Sequence, residues 1–233
     1  MPAGLALSLI YGIARAWPRP IEVSTESPRT AIKIVRGSLF DQQTALAVGV
    51  CDTFDTASPY ISDRSVQWQF QSREFGGDLA RLDAEIEAAL ANTARDGEIN
   101  KQGKTVRYPI GTVVTIGALP RRHYLVAYSW MDERNKAASS VDALWTSLGN
   151  LWEAVRVGSN GAPISMPVIG GGQSGLSASL PAEDAIRLTV LSFMIAARVV
   201  PVCDELRIVA QPAMYDKLNH PELQAFLSSL KRA

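Results

Sequence analysis

The chain has 233 residues, 47% of them hydrophobic and 20% charged, enough to bury one ordinary core but not two full domains. Its 23 basic and 23 acidic residues give a formal net charge of +0, so no field concentrates a polyanion, and nucleic acid is not an expected partner. Cys51 and Cys203 lie far apart in apolar runs and read as small buried hydrophobes, while His123 and His220 lack any zinc-chelating spacing, so no metal site is expected.

Residues 3–14 (AGLALSLIYGIA) are apolar and uncharged, and Arg15, Pro18, Arg19 and Pro20 follow them. As a helix they span only about 18 Å at ~1.5 Å per residue, against a hydrocarbon core of ~30 Å. The basic residues follow the apolar run instead of preceding it, as they would in a signal peptide. Two readings stand: the cytoplasmic end of a membrane helix that begins upstream, or a terminal helix packed on the domain or on another subunit. The expected organisation is an apolar segment and linker over 1–20 and one α/β domain over 21–233.

Residues 22–30 read as a polar connector, after which short β-branched runs alternate with helical ones, the pattern of an α/β layered sheet. Strands are expected at 32–36, 45–50, 111–116, 123–129, 164–169 and 206–210, several apolar throughout and so buried on both faces. A helix is expected over 78–95, where Leu79, Leu82, Ile86 and Leu90 form one buried stripe. Residues 96–104 (DGEINKQGK) read as an exposed connecting loop. A second helix starts at Ser139 with Asp142 three residues on, a capping-box pairing, and presents Val141, Leu144, Trp145, Leu148, Trp152 and Val155 to the core. The third, 181–200, is apolar nearly all round and should be the most buried; a last one near Pro221 carries Leu223, Phe226, Leu227 and Leu230.

Two segments carry chemistry. Gly170-Gly171-Gly172-Gln173-Ser174-Gly175-Leu176 follows an apolar strand and precedes a helix, where glycines let backbone N–H groups approach an anion. Gly170, Gly172 and Gly175 satisfy G-x-G-x-x-G, but a dinucleotide fold places that run in its first βα turn with a carboxylate about 20 residues on, whereas here it lies in the last third and the next strand ends in Val209-Ala210-Gln211. The Lys-Ser/Thr ending of a P-loop is also missing. A neutral backbone cradle for a diphosphate is what remains. The second segment, Val48 to Thr56, is a buried strand running into Asp52, Thr53, Phe54, Asp55 and Thr56 at the strand's carboxyl end, where α/β sheets bind ligands. Asp52 and Asp55 could accept ribose hydroxyls, or order the loop through bonds to backbone.

Taken in order, Trp17-Pro18-Arg19-Pro20, Ile34-Val35-Arg36-Gly37-Ser38-Leu39-Phe40, the 52–56 loop, Tyr108-Pro109-Ile110-Gly111-Thr112-Val113, Asn135-Lys136-Ala137 and Pro167 through Leu176 resemble the macro domain of the membrane-anchored Thoeris antiphage effectors, and more distantly ADP-ribose-binding macro domains. The resemblance implies an α/β three-layer sandwich, a mixed central sheet with helices on both faces. It places adenine near Gly37-Ser38-Leu39 and the diphosphate between the 52–56 and 170–176 loops. The candidate ligand-binding residues are Ser38, Leu39, Asp52, Thr53, Phe54, Asp55, Thr56, Ser65, Gly170, Gly171, Gly172, Gln173, Ser174, Gly175 and Leu176, with no catalytic residue, metal or cofactor. The same resemblance implies a cytoplasmic sensor tethered to the inner membrane and assembled as a homo-oligomer. Its ligand would be an ADP-ribose-type nucleotide made by a TIR-domain enzyme.

Three departures matter. Ser38 stands where macro domains place an aspartate for the adenine amino group, and Cys51-Asp52-Thr53 replaces the asparagine-rich loop of hydrolysing members. Ala210 stands where an aromatic covers adenine, leaving Tyr215 as the substitute. The competing readings are a hydrolase of an ADP-ribose ester or related phosphate, with Asp52 or Asp55 as general base, and a scaffold that needs no ligand.

Overall fold

The structure is a computed structural model that describes residues 20–119, 121–170 and 174–232; the apolar run at 3–14, the Trp17-Pro18-Arg19 junction and Gly171, Gly172 and Gln173 lie outside the described residues. In chain order the elements are β1 (Ile21–Glu26), β2 (Arg29–Arg36), β3 (Ala45–Cys51), α1 (Val66–Glu74), α2 (Leu79–Leu90), β4 (Gly97–Glu98), β5 (Val106–Arg107), β6 (Val113–Ile116), β7 (His123–Met131), β8 (Ala137–Ala138), α3 (Val141–Gly158), β9 (Ile164–Pro167), α4 (Ala182–Val199), β10 (Glu205–Ala210), α5 (Pro212–Tyr215) and α6 (His220–Ser229). The main sheet runs β1-β2-β10-β9-β3-β7-β6, with β8 added to the end of β7. The inner strands β2, β10, β9, β3 and β7 pair in parallel, whereas β1, β6 and β8 join antiparallel.

Strand periodicity builds the layers. Along β3, Ala45 and Ala47 enter one core with Tyr124 and Val126 of β7, while Leu46, Val48 and Val50 enter the other with Leu125 and Ala127. The first core is roofed by Leu144, Leu148, Trp152 and Val155 of α3, by Ile186, Val190 and Phe193 of α4, and by Leu223 and Leu227 of α6. The second is covered by Phe70 of α1 and by Leu82, Ile86 and Leu90 of α2. Trp152 ties two helices together: its indole N–H donates to the Ser192 hydroxyl at 2.9 Å and its ring meets Phe193 edge-on at 5.2 Å. Cys51 and Cys203 are both buried, and burial pushes the Cys203 thiol up to about 12.

Several local expectations are corrected. The segment read as a polar connector contains β1, an edge strand whose alternate residues Ile21 and Val23 are buried while Glu22, Ser24 and Glu26 face outward. Helix α2 ends at Leu90, short of Arg95, and α1 was not anticipated at all. Ser140, not Ser139, caps α3, its hydroxyl accepting from the Ala143 amide at 3.1 Å. The buried face of α3 runs through Leu144, Leu148, Leu151, Trp152 and Val155, which leaves Val141 and Trp145 on its outer side, Trp145 at 41% exposure. Helix α4 is not apolar-buried all round: Leu191, Ile195 and Val199 form a stripe at four-residue spacing on its solvent side, with Val199 80% exposed. No helix among the described residues is long and apolar enough to cross a membrane.

Candidate functional site

The site follows from a mismatch in the sheet. β3 and β9 are neighbours, yet they share only the pairs Ala45↔Ile164 and Leu46↔Ser165 before they part, β9 staying with β10 as far as Val209↔Pro167. On its other side β3 keeps to β7, with a register shift between Val50 and Cys51. The carboxyl ends of β3 and β9 therefore open a cleft of about 560 Å³. Gly49, Val50 and Cys51 form one wall with the segment from Tyr60 to Gln67. Pro167 to Gly170, Ser174, Val209, Gln211 and Met214 form the other, and Tyr128, Ser129 and Met131 close the floor.

Tyr128 fits only because Gly49 lacks a side chain: a Cβ there would meet the ring at 2.5 Å. The phenol lies 3.4 Å from the Ser174 hydroxyl, and burial raises its pKa, so it stays a protonated donor. Cys51 is likewise held as a thiol by burial.

The 52–56 loop is placed beside the cleft but faces the protein interior. Asp52 accepts from Arg107 Nε at 2.7 Å and from the Met131 amide at 2.8 Å. Asp55 accepts from the Thr53 hydroxyl, from the Lys104 amide at 2.8 Å and from Lys101 Nζ at 2.7 Å, in a pair whose side chains are 0% and 1% exposed. Thr56 donates to Asp83 at 2.7 Å, and Phe54, with φ at 50°, stacks edge-on to Tyr108 at 5.7 Å. None of these five residues lines the cleft, so their polar groups are spent on the fold. The loop read as a mere connection is part of this arrangement. Residues 97–107 form the β4–β5 hairpin, which brings Lys101 against Asp55 with its ammonium 5.6 Å from the Tyr60 ring.

Of the remaining expected residues, Ser65 lines the cleft and caps α1, its hydroxyl accepting from the Trp68 amide at 3.0 Å. Gly170 and Ser174 line it too, Gly170 at a φ of 101° that its side-chain-free backbone allows. Gly175, at φ 69°, turns the chain into a short helical turn whose Leu176 is buried in the first core. Gly171, Gly172 and Gln173 lie outside the described residues. Ser38 caps the turn Leu39–Asp41, accepting from the Phe40 amide at 3.2 Å, and Leu39 is buried in the second core; neither lines the cleft. Met214, not Tyr215, reaches the wall, because Tyr215 packs on His220 with ring centroids 4.5 Å apart. Sequence reasoning missed Tyr60, Ile61, Arg64, Gln67, Tyr128 and Met131. Of these only Tyr128 carried a signal, as part of the strand expected at 123–129; Met131 lies past that bound because β7 runs on to it. Among the described residues no group of His, Cys, Asp and Glu could hold a metal.

The family described as Thoeris protein ThsA, Macro domain, matches residues 32–211. No curated protein matches the chain. Among solved structures, a mutant macrodomain of Oceanobacillus iheyensis with ADPR superposes with a TM-score of 0.59 at 16% identity, over 92% of this chain and 100% of that one. The Trypanosoma brucei macrodomain in complex with ADP-ribose gives 0.51 at 16% identity, over 91% of this chain and 73% of that one. These likenesses carry the fold, a mixed central sheet flanked by helices, and the family match carries the membership. The chain belongs to the ThsA macro-domain family of Thoeris proteins.

Proposed function

We propose that the cleft binds an ADP-ribose-type nucleotide and that the chain acts as a sensor in Thoeris defence, not as an enzyme. The observation that carries the reading is the cleft's composition. It opens at the carboxyl ends of parallel strands, is flanked by Gly170 at positive φ and by the start of α1, and has no carboxylate among its described lining residues. The ADP-ribose in the macrodomain structures of Oceanobacillus iheyensis and Trypanosoma brucei supports the same ligand class. A hydrolase would need a general base in the cleft, and Asp52 and Asp55 are each held by a cation and a backbone amide instead.

In this reading a TIR-domain partner makes the nucleotide, and occupancy favours one assembly of the chain, with residues 1–20 linking the domain to a membrane. Ligand changes an assembly only through different affinities for its two states. The test is thermal unfolding with ADP-ribose, ADP and adenosine. A ligand at a hundred times its Kd adds about 2.7 kcal/mol of stability. A shift with ADP-ribose, without its turnover, supports the reading; no shift with any of them, or turnover of a bound ester, overturns it. Deleting residues 1–20 should leave affinity unchanged and abolish ligand-dependent assembly.

A further inference from the structure

Of the described residues that line the cleft, Arg64 alone carries a charge. Two cations beside the cleft are committed to the fold, Arg107 to Asp52 and Lys101 to Asp55. Arg64 differs from them. Its backbone is fixed, the amide donating to the Ser62 hydroxyl at 3.2 Å and the carbonyl accepting from Gln69 Nε2 at 3.5 Å, while its guanidinium has no ion pair, hydrogen bond or ring contact among the described residues. It precedes Ser65, the cap of α1, whose first turn contains no acidic residue to offset the positive helix end. Asp63, the adjacent acid, is exposed and outside the cleft lining.

A fork of N–H donors on an anchored backbone at the mouth of a cleft without carboxylates matches an oxyanion, which guanidinium groups bind in two-point fashion. We propose that Arg64 is the charge-recognition residue of the cleft, pairing with an anionic oxygen group of the bound nucleotide. Gly170 and Ser174 bring only uncharged groups to the cleft, so Arg64 adds what they lack: a full charge and, with it, discrimination between ligands by their number and position of anionic groups. This inference rests on the nucleotide reading above and names the part of the ligand that Arg64 reads. Two groups have the required chemistry, the diphosphate itself and an anion carried beyond the second ribose.

The test is calorimetry on the full chain, the natural sequence against Arg64→Gln and Arg64→Lys, with adenosine, ADP, ADP-ribose and ADP-ribose 1″-phosphate at low and high salt. Arg64→Gln should weaken at least one phosphate-bearing ligand by roughly three- to tenfold, as for a solvent-facing but two-point ion pair. The loss should shrink at high salt, spare adenosine and be partly reversed in Arg64→Lys. An equal loss for ADP and ADP-ribose assigns Arg64 to the diphosphate; a loss confined to the 1″-phosphate assigns it to the appended anion. If all ligands bind the glutamine variant as they bind the natural chain, Arg64 reads nothing and the inference falls. If the natural chain binds none of them, the nucleotide reading falls and takes this inference with it.

Discussion

The ring of Tyr128 lies across the backbone of Gly49, so close that a single added methyl at Gly49 would sit 2.5 Å from its Cε1. The two residues belong to neighbouring strands, and the contact sets how far the phenol leans into the cleft. Gly49→Ala must displace that ring. The expected result is a loss of about 1–3 kcal/mol, the range for overpacking a filled interior, together with weaker nucleotide binding. Gly49→Ala combined with Tyr128→Leu should regain most of the stability in urea titrations. An unchanged Gly49→Ala protein would mean the ring moves freely and does not shape the floor.

Lys101 and Asp55 form a buried ion pair that ties the β4–β5 hairpin to the 52–56 loop. Removing one member leaves the other charge without compensation, typically at a cost of about 3–5 kcal/mol. Lys101→Met should therefore be strongly destabilised, while Lys101→Met with Asp55→Asn should recover part of the loss. Denaturant midpoints for the four proteins of this cycle decide it, and additivity of the two changes would deny the coupling.

Gly175 occupies φ 69° with nothing within 4 Å of where a Cβ would lie, so a substitution there tests backbone conformation without a clash. Gly175→Val should distort the loop, at about 1–3 kcal/mol for a strained backbone, and lower nucleotide affinity more than tenfold. Gly175→Asn, a residue that tolerates this region, should retain most of it. Equal affinities for both variants would detach the loop's conformation from binding.

His123 is buried, accepts the Leu46 amide on Nδ1 at 3.2 Å and faces Phe70 edge-on at 5.3 Å. Burial lowers its pKa below the ordinary 6.5, against the opposing pull of Glu74. The unfolded chain therefore takes up the proton first, so the contribution of neutral His123 is complete above pH 6.5 and is lost as pH falls through the folded value. Stability should decline from about pH 6.5 downward more steeply in the natural chain than in His123→Asn, measured by urea midpoints at each pH. Parallel profiles would count against this assignment.

The layered sheet was legible because β3, β7 and α3 carry strong periodicities: alternate residues of Val48-Gly49-Val50 and Leu144, Leu148, Trp152 and Val155 of α3 all sit where their spacing puts them. Helix α1, VQWQFQSRE, was not legible, because it buries Gln67, Phe70 and Gln71 with no apolar stripe to announce a face. The fate of Asp52 and Asp55 was hidden for a different reason. In sequence their carboxylates look available for a ligand, and only the folded chain brings Arg107 and Lys101 to them. The same distance concealed Lys101, whose segment is polar enough to read as a solvated loop. The glycine run announced its place at a strand end, but the opposite wall, from Tyr60 to Gln67, has no composition that marks a binding surface.

The early parting of β3 from β9 has a consequence for what a ligand does on arrival. Below the cleft the sheet is two blocks, β1-β2-β10-β9 and β3-β7-β6, fastened by a two-residue ladder. The wall that holds Tyr60 and Gln67 follows β3 of the second block, and the wall that holds Gly170 and Ser174 follows β9 of the first. A molecule that touches both walls acts as a rivet across this seam, and the energy of its contacts is at the same time an energy of joining the blocks. Amides in the two walls, distant along the chain, should then slow their hydrogen exchange together when the cleft fills, as a single mechanical event.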